Sequence, residues 1–362
     1  MHNVRRLLAV RRAIKMAGFT AQRGCQILRR LEILAMLIRR LVFSAMILFW
    51  TTVGWARESK LETHTSPADA GPDFKVQGEY LGKIKESSGE IPVGVQVIAL
   101  GKGKFTAVVH FGGLPGDGWV RGNKHQKADG HTVGARTSFR GSDWTLTIFT
   151  DTLLFADTAG RSLGTLHKVA RVSPTAGAKP PAGAIVLFDG SGVDHFSGAR
   201  MTEDKLLLAG GMTRSEYGDA KLHLEFRLPF MPTARGQDRA NSGTYLQNRY
   251  EVQVLDSFGL EGADNECGGL YKVAQPAVNM CYPPLAWQTY DIDFTAPRFD
   301  GEKKVKSARL TVRHNGVVIH DDLELPNVTL GGLDKEYPGK GPLLLQWHGN
   351  PVVYRNVWLL EK

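Results

Sequence analysis

The chain has 362 residues, 42% of them apolar, and a formal charge of +9 from 45 Lys and Arg against 36 Asp and Glu. This is length enough for two folded domains. The basic surplus is local: residues 1–56 hold ten Lys and Arg against Glu32 alone, so residues 57–362 are formally neutral and no electrostatic case for a nucleic-acid partner remains.

Leu41 to Val53 is an apolar run preceded by Arg39-Arg40 and followed by Gly54-Trp55-Ala56. That order is expected of a signal peptide cleaved after Ala56. The run is shorter than the roughly 20 apolar residues of a spanning helix. An exported protein is therefore expected (periplasmic, extracellular or cell-surface), with a membrane attachment only if the leader, residues 1–56, is retained. Met36 would begin a more ordinary signal peptide than Met1 does. Removing the leader removes Cys25 and leaves Cys267 and Cys281. In an oxidising compartment such a pair suits a disulfide, whose loop of about 15 residues would contribute roughly 3 kcal/mol on the chain-entropy argument. Two buried free thiols are the alternative.

Residues 57–172 read as a polar tether followed by a small β-rich domain. Gly94–Leu100, Phe105–Phe111 and Trp144–Phe149 are rich in β-branched and aromatic residues, with Gly-rich turns between them. His110, His125 and His131 lack metal-ligand spacing. Trp119 and Trp144 suit either core packing or a sugar-stacking platform. Residues 173–184, SPTAGAKPPAGA, read as a Pro/Ala/Gly linker.

Residues 185–362 are again β-patterned, so the fold class is all-β. Leu222, Leu224, Phe226 and Leu228 alternate with His223, Glu225 and Arg227. Asn315-Gly316 between two β runs predicts a hairpin. Val252 and Val254 alternate with Glu251 and Gln253, which puts two polar side chains on one strand face. Leu343–His348 and Val352–Leu360 read as closing strands. Apolar second faces throughout imply a two-layer sandwich.

The ordered set Phe188-Asp-Gly, Gly218 to Arg227, Asn241 to Leu246, Tyr250 to Ser257, Gly268-Gly-Leu-Tyr, Trp287 to Ile292, Gly341 to Gly349 and Val353 to Val357 resembles the 3-keto-disaccharide hydrolase family. The resemblance covers residues 185–362. It departs at Phe196, where the family carries Trp, and in a longer segment between Pro229 and Asn241. It implies a concanavalin A-like jelly roll in an exported enzyme acting on glycosides oxidised at C3. A ketone at C3 acidifies the C2 proton, so one base can remove it, the C1 aglycone can leave, and water can add back. Such a site needs a base, donors for the enolate oxygen and an acid near the leaving oxygen, not the paired carboxylates of an ordinary glycosidase.

Strand faces then nominate residues. Glu251, Glu225 and His348 are the catalytic candidates; a histidine suits proton transfer because imidazole titrates near neutrality. Arg227, Asn241, Ser242, Tyr245, Gln247, Gln253, Asp256, Tyr271 and Gln346 are candidates for binding an oxidised saccharide. These faces are expected to converge on one cleft. No cofactor is required, although Glu225, Glu251, Asp256 and His348 could hold a divalent metal if they met. A lectin-like carbohydrate-binding protein and a structural surface protein are the competing readings.

Overall fold

A computed structural model describes residues 61–332 and 335–362. The leader, with Cys25 and the expected cleavage position, lies outside the described residues. Leu61–Lys362 form one compact unit. Among the described residues its regular structure is almost entirely β, with one short α-helix, Gly71–Val76, and one 3-10 turn, Gly236–Asp238. Among the described residues no helix is long and apolar enough to cross a membrane.

The first β-rich region closes into an eight-stranded antiparallel barrel. Its order is Gly78–Glu86, Ser162–Val169, Thr152–Asp157, Trp144–Phe149, Arg136–Arg140, His125–Val133, Lys104–Phe111 and Gly89–Gly101, which returns to the first strand. Period-two patterning fills the inside. Val93, Val95, Val97 and Ala99 point inward together with Leu146, Ile148 and the Trp144 ring. Each Val, Leu or Ile side chain so buried contributes about 1.5–3 kcal/mol. Trp144 is thus core, and Trp119 is also buried, its ring 4.7 Å from that of His110. Neither offers a stacking platform.

The C-terminal region is a sandwich of two antiparallel sheets. The larger runs Arg200–Met201, Leu207–Leu208, Val353–Glu361, Ala220–Arg227, Trp287–Thr295, Ala308–His314 and Val317–Leu325, with Ile185–Phe188 also paired to Val353–Glu361. The smaller runs Phe196–Ser197, Gly211–Tyr217, Gly341–Leu345, Ser242–Leu246 and Tyr250–Val254. Leu222, Leu224 and Phe226 of one sheet and Tyr250, Val252, Val254 and Leu345 of the other share the core between them. The Asn315-Gly316 hairpin forms as the sequence predicts, both residues at positive φ (50° and 80°), as a tight turn between right-twisted strands requires.

Residues 173–178 do not hang free between the two regions. They lie against the outer face of the larger sheet. Ser173 Oγ is 2.6 Å from Thr289 Oγ1, Thr175 Oγ1 donates to Asp291, and the Gly177 N–H donates to Glu225 Oε1 at 2.6 Å. The Ala178 carbonyl accepts from Asn356 and from the Trp358 indole. Barrel and sandwich also share apolar contacts: Ile98, Val108 and Trp119 join the sandwich core, and Phe230 joins the barrel core. Arg121 crosses the junction, donating to the carbonyls of Glu261, Gly262, Pro276 and Ala277.

Candidate active site

The polar face read from Glu251 and Gln253 is the outer face of the smaller sheet. Because Tyr250, Val252 and Val254 turn into the core, Glu251 and Gln253 must turn out. On the neighbouring strand Ser242 and Leu246 turn inward, so Gly243 and Tyr245 turn out. The register sets Tyr245 opposite Glu251 and Gly243 opposite Gln253. Tyr245 and Glu251 are hydrogen-bonded through their side chains. Gln346 Nε2 donates to the Tyr245 hydroxyl at 3.1 Å.

Gly243 is required by this packing. A Cβ there would stand 2.4 Å from Glu251 Oε1 and 2.7 Å from Tyr245 Cε2. Gly331 forms the roof: a Cβ built on it lies 3.4 Å from the Tyr245 hydroxyl, 3.6 Å from Glu251 Oε2 and 3.9 Å from the Tyr271 ring. The roof segment is tied down by Thr329, whose Oγ1 accepts the Glu251 N–H and donates to the Arg249 carbonyl.

Glu251 is only 3% exposed. Burial pushes its carboxyl up to about 7, and the Tyr245 hydrogen bond opposes that rise only in part. A carboxyl that exchanges its proton near neutrality can serve as base and then as acid. Burial and the facing carboxylate hold the Tyr245 phenol in its protonated, donating form.

Beside this pair lies an amide cluster. Asn241 Nδ2 donates to the Gln237 carbonyl and to Gln237 Oε1, and Gln253 Nε2 donates to the same Oε1. Gln237 was not legible as a site residue. It belongs to the connection between the strands Ala220–Arg227 and Ser242–Leu246, and the only signal was that segment's extra length.

The expected convergence on one cleft fails for several residues. Glu225 and Arg227 lie on the outer face of the larger sheet, pointing away from the sandwich on the side opposite Glu251. Burial pushes the Glu225 carboxyl up, but hydrogen bonds from His223, Asn356, the Gly177 N–H and Arg355 outweigh it and hold it at about 2. That is a structural carboxylate beneath the 173–178 segment. Arg227 packs its guanidinium 5.1 Å from the Trp287 ring.

Asp256 is buried in an ion pair with Arg239, Oδ2 to Nε 2.5 Å, at the junction with the barrel. Gln247 sits in the hairpin turn, where it donates to the Tyr217 carbonyl and accepts from Arg249. The Ser242 hydroxyl faces inward, 2.7 Å from the Tyr354 hydroxyl. His348 is exposed, because the closing strand ends at Leu345 instead of running on to His348. It lies in the connection that follows Gln346. Glu225, Glu251 and Asp256 thus occupy three separate places, and among the described residues no group of three His, Cys, Asp or Glu side chains is placed to hold a metal ion.

Cys267 and Cys281 are buried free thiols hydrogen-bonded to each other, the second of the two arrangements expected for them. A cleft of about 840 Å³ lies elsewhere, at the barrel, lined by Phe74, Ile148, Lys168 and Leu285. None of the candidate residues lines it.

Tyr245, Glu251, Gln253, Tyr271, Asn241 and Gln346 therefore come together on the smaller sheet. Residues 183–360, which contain all of them, match the family of 3-keto-alpha-glucoside-1,2-lyase-like domains. The C-terminal half is such a lyase-like domain. Solved structures align with part of the chain: one from Parabacteroides distasonis, described as a "putative glycosyl hydrolase", is 32% identical, covers 50% of this chain and 85% of its own, and has a TM-score of 0.47. A second structure from the same organism, with the same description, is 17% identical over 50% of this chain and 94% of its own, with a TM-score of 0.35. No curated protein matches the chain. The lyase-like domain marks a carbohydrate-active protein.

Proposed function

We propose that the lyase-like domain cleaves glycosides whose sugar is oxidised at C3, with Glu251 as the group that takes the C2 proton. The observation that carries this reading is the Glu251 carboxyl itself, buried, hydrogen-bonded to Tyr245 and brought up to about 7. Its ionised form is a base strong enough to matter near neutral pH, where an ordinary exposed glutamate is weak.

The electrons of the C2–H bond move to a C2–C1 double bond conjugated with the C3 ketone, and the C1–O bond breaks. The departing oxygen takes up a proton. Addition of water across the enone then gives net hydrolysis. Charge gathers on the C3 oxygen during proton removal, and hydrogen-bond donors aimed at that oxygen supply much of the rate. Gln346 and Tyr271 stand at the edge of the same face. Since Glu251 is nearly covered, substrate reaches it by displacing the roof at Gly331. The leader fits an exported enzyme.

The test pairs a 3-keto-glucoside with the matched unoxidised glucoside, following aglycone release and enone absorbance. Release only from the keto substrate, lost in folded Glu251→Gln, is the expected result. Release from both substrates alike, or full activity in Glu251→Gln, would overturn it.

A further inference from the structure

Three side-chain amides beside Glu251 are oriented by groups that allow only one assignment. Asn241 Nδ2 faces the Gln237 carbonyl at 2.8 Å, and a carbonyl can only accept, so the nitrogen must be on that side. Gln237 Nε2 faces the Asn265 carbonyl at 2.9 Å, which leaves Gln237 Oε1 to accept from both Asn241 and Gln253. Gln253 Oε1 accepts the Val254 N–H at 3.0 Å, so its nitrogen is the donor. Backbone groups at three positions thus lock the cluster against amide flips.

Two valences are left over. Asn241 Oδ1 is buried and has no hydrogen-bond partner, although the residue is only 2% exposed. Gln253 is 1% exposed and uses one of its two Nε2 hydrogens, on Gln237. Among the described residues the second has no acceptor. One Gln237 oxygen, 3.1 Å from Asn241 Nδ2 and 3.2 Å from Gln253 Nε2, holds the spare acceptor and the spare donor side by side.

An acceptor next to a donor matches a hydroxyl, which gives one hydrogen bond and takes another. A ketone oxygen only accepts and leaves Asn241 Oδ1 unmet. We infer that Asn241 and Gln253 form a hydroxyl-reading pair for the sugar that Glu251 deprotonates, with Gln237 as the residue that positions both amides. The inference rests on the reading of the site given above and adds to it the recognised group. Glu251 and Gln253 are alternate residues on one strand face, about 7 Å apart. A pyranose ring with its C2 hydrogen at Glu251 therefore presents a hydroxyl distant from that carbon, not the C3 oxygen, to the pair.

The experiment compares kcat/KM for a methyl 3-keto-glucoside and its 4-deoxy and 6-deoxy analogues. Wild-type protein is expected to disfavour one analogue by about 10⁴-fold, as sites with buried polar partners for a hydroxyl do. Asn241→Leu should bring that ratio close to 1. Gln237→Ala should do so mainly through KM, since it removes the acceptor that both amides share. Thermal melts verify that each variant is folded. An unchanged ratio in Asn241→Leu overturns the pair while leaving the reaction intact. If no 3-keto-glycoside turns over, the reaction fails, and calorimetry with the same three sugars decides the pair: equal affinity of wild type and Asn241→Leu, or no binding at all, overturns it.

Discussion

Tyr245 and Glu251 stand directly opposite each other on adjacent antiparallel strands, and their side chains are hydrogen-bonded on the sheet's outer face. Side chains of directly opposed residues lie close enough to interact, so the sheet register itself delivers the phenol to the carboxyl. No loop has to fold correctly for that contact to exist. The roof at Gly331 and the glycine at position 243 then fix how tightly the pair is enclosed.

The raised Glu251 carboxyl has a consequence for stability as well as catalysis. A folded value of about 7 against an ordinary 4.5 means the native state binds this proton more tightly than the unfolded chain. That advantage is complete below about pH 4.5 and is lost as pH rises through 7. It corresponds to roughly 3 kcal/mol. Glu251→Gln should therefore gain thermal stability relative to wild type between pH 4 and pH 8, measured as the difference in Tm at each pH. Its kcat should fall by about 10²- to 10⁴-fold.

Gly243→Ala places a methyl against Glu251 Oε1 and the Tyr245 ring, each closer than any real Cβ contact. Overpacking of this kind costs about 1–3 kcal/mol. Because the obstructing atoms are the catalytic candidates themselves, activity should fall further than stability. Urea melts and turnover on the same preparation check this, and an active, destabilised variant would count against the site.

The Asp256–Arg239 pair makes the opposite prediction. Asp256→Ala leaves the Arg239 guanidinium buried without its carboxylate, its Nη1 donating only to the Ala99 carbonyl at the barrel junction. Removing one partner of a buried ion pair costs about 3–5 kcal/mol. Turnover at low temperature should persist, since neither residue touches the Tyr245–Glu251 pair. Denaturation curves alongside initial rates separate the two effects.

Glu225 titrates the other way from Glu251. Its folded value near 2 lies below the ordinary 4.5, so its contribution to stability is present above about pH 4.5 and is lost as pH falls towards 2. Glu225→Ala should cost about 1–3 kcal/mol at pH 7 and free the 173–178 segment, whose Gly177 N–H it accepts. Limited proteolysis should then cut near Lys179 in the variant well before it cuts wild type. The stability gap between the two proteins should narrow in acid melts.

The sequence by itself determined what depends on near neighbours along the chain. Period-two alternation placed Val252 and Val254 on one face and Glu251 and Gln253 on the other, and the pleat allows no alternative once those valines are buried. Asn315-Gly316 specified its turn because it supplies two residues that tolerate positive φ. Only the tertiary structure decided which faces meet. Glu225 carries the same local pattern as Glu251, yet its strand belongs to the other sheet, and the outer faces of a sandwich point apart. Asp256 follows the site strand closely but is drawn to Arg239, and Gln237 reaches the amide cluster from a connection with no period at all. Alternation is a property of one strand. Sheet membership, register and the path of a connection are set by pairings between distant segments, which no single stretch of sequence contains.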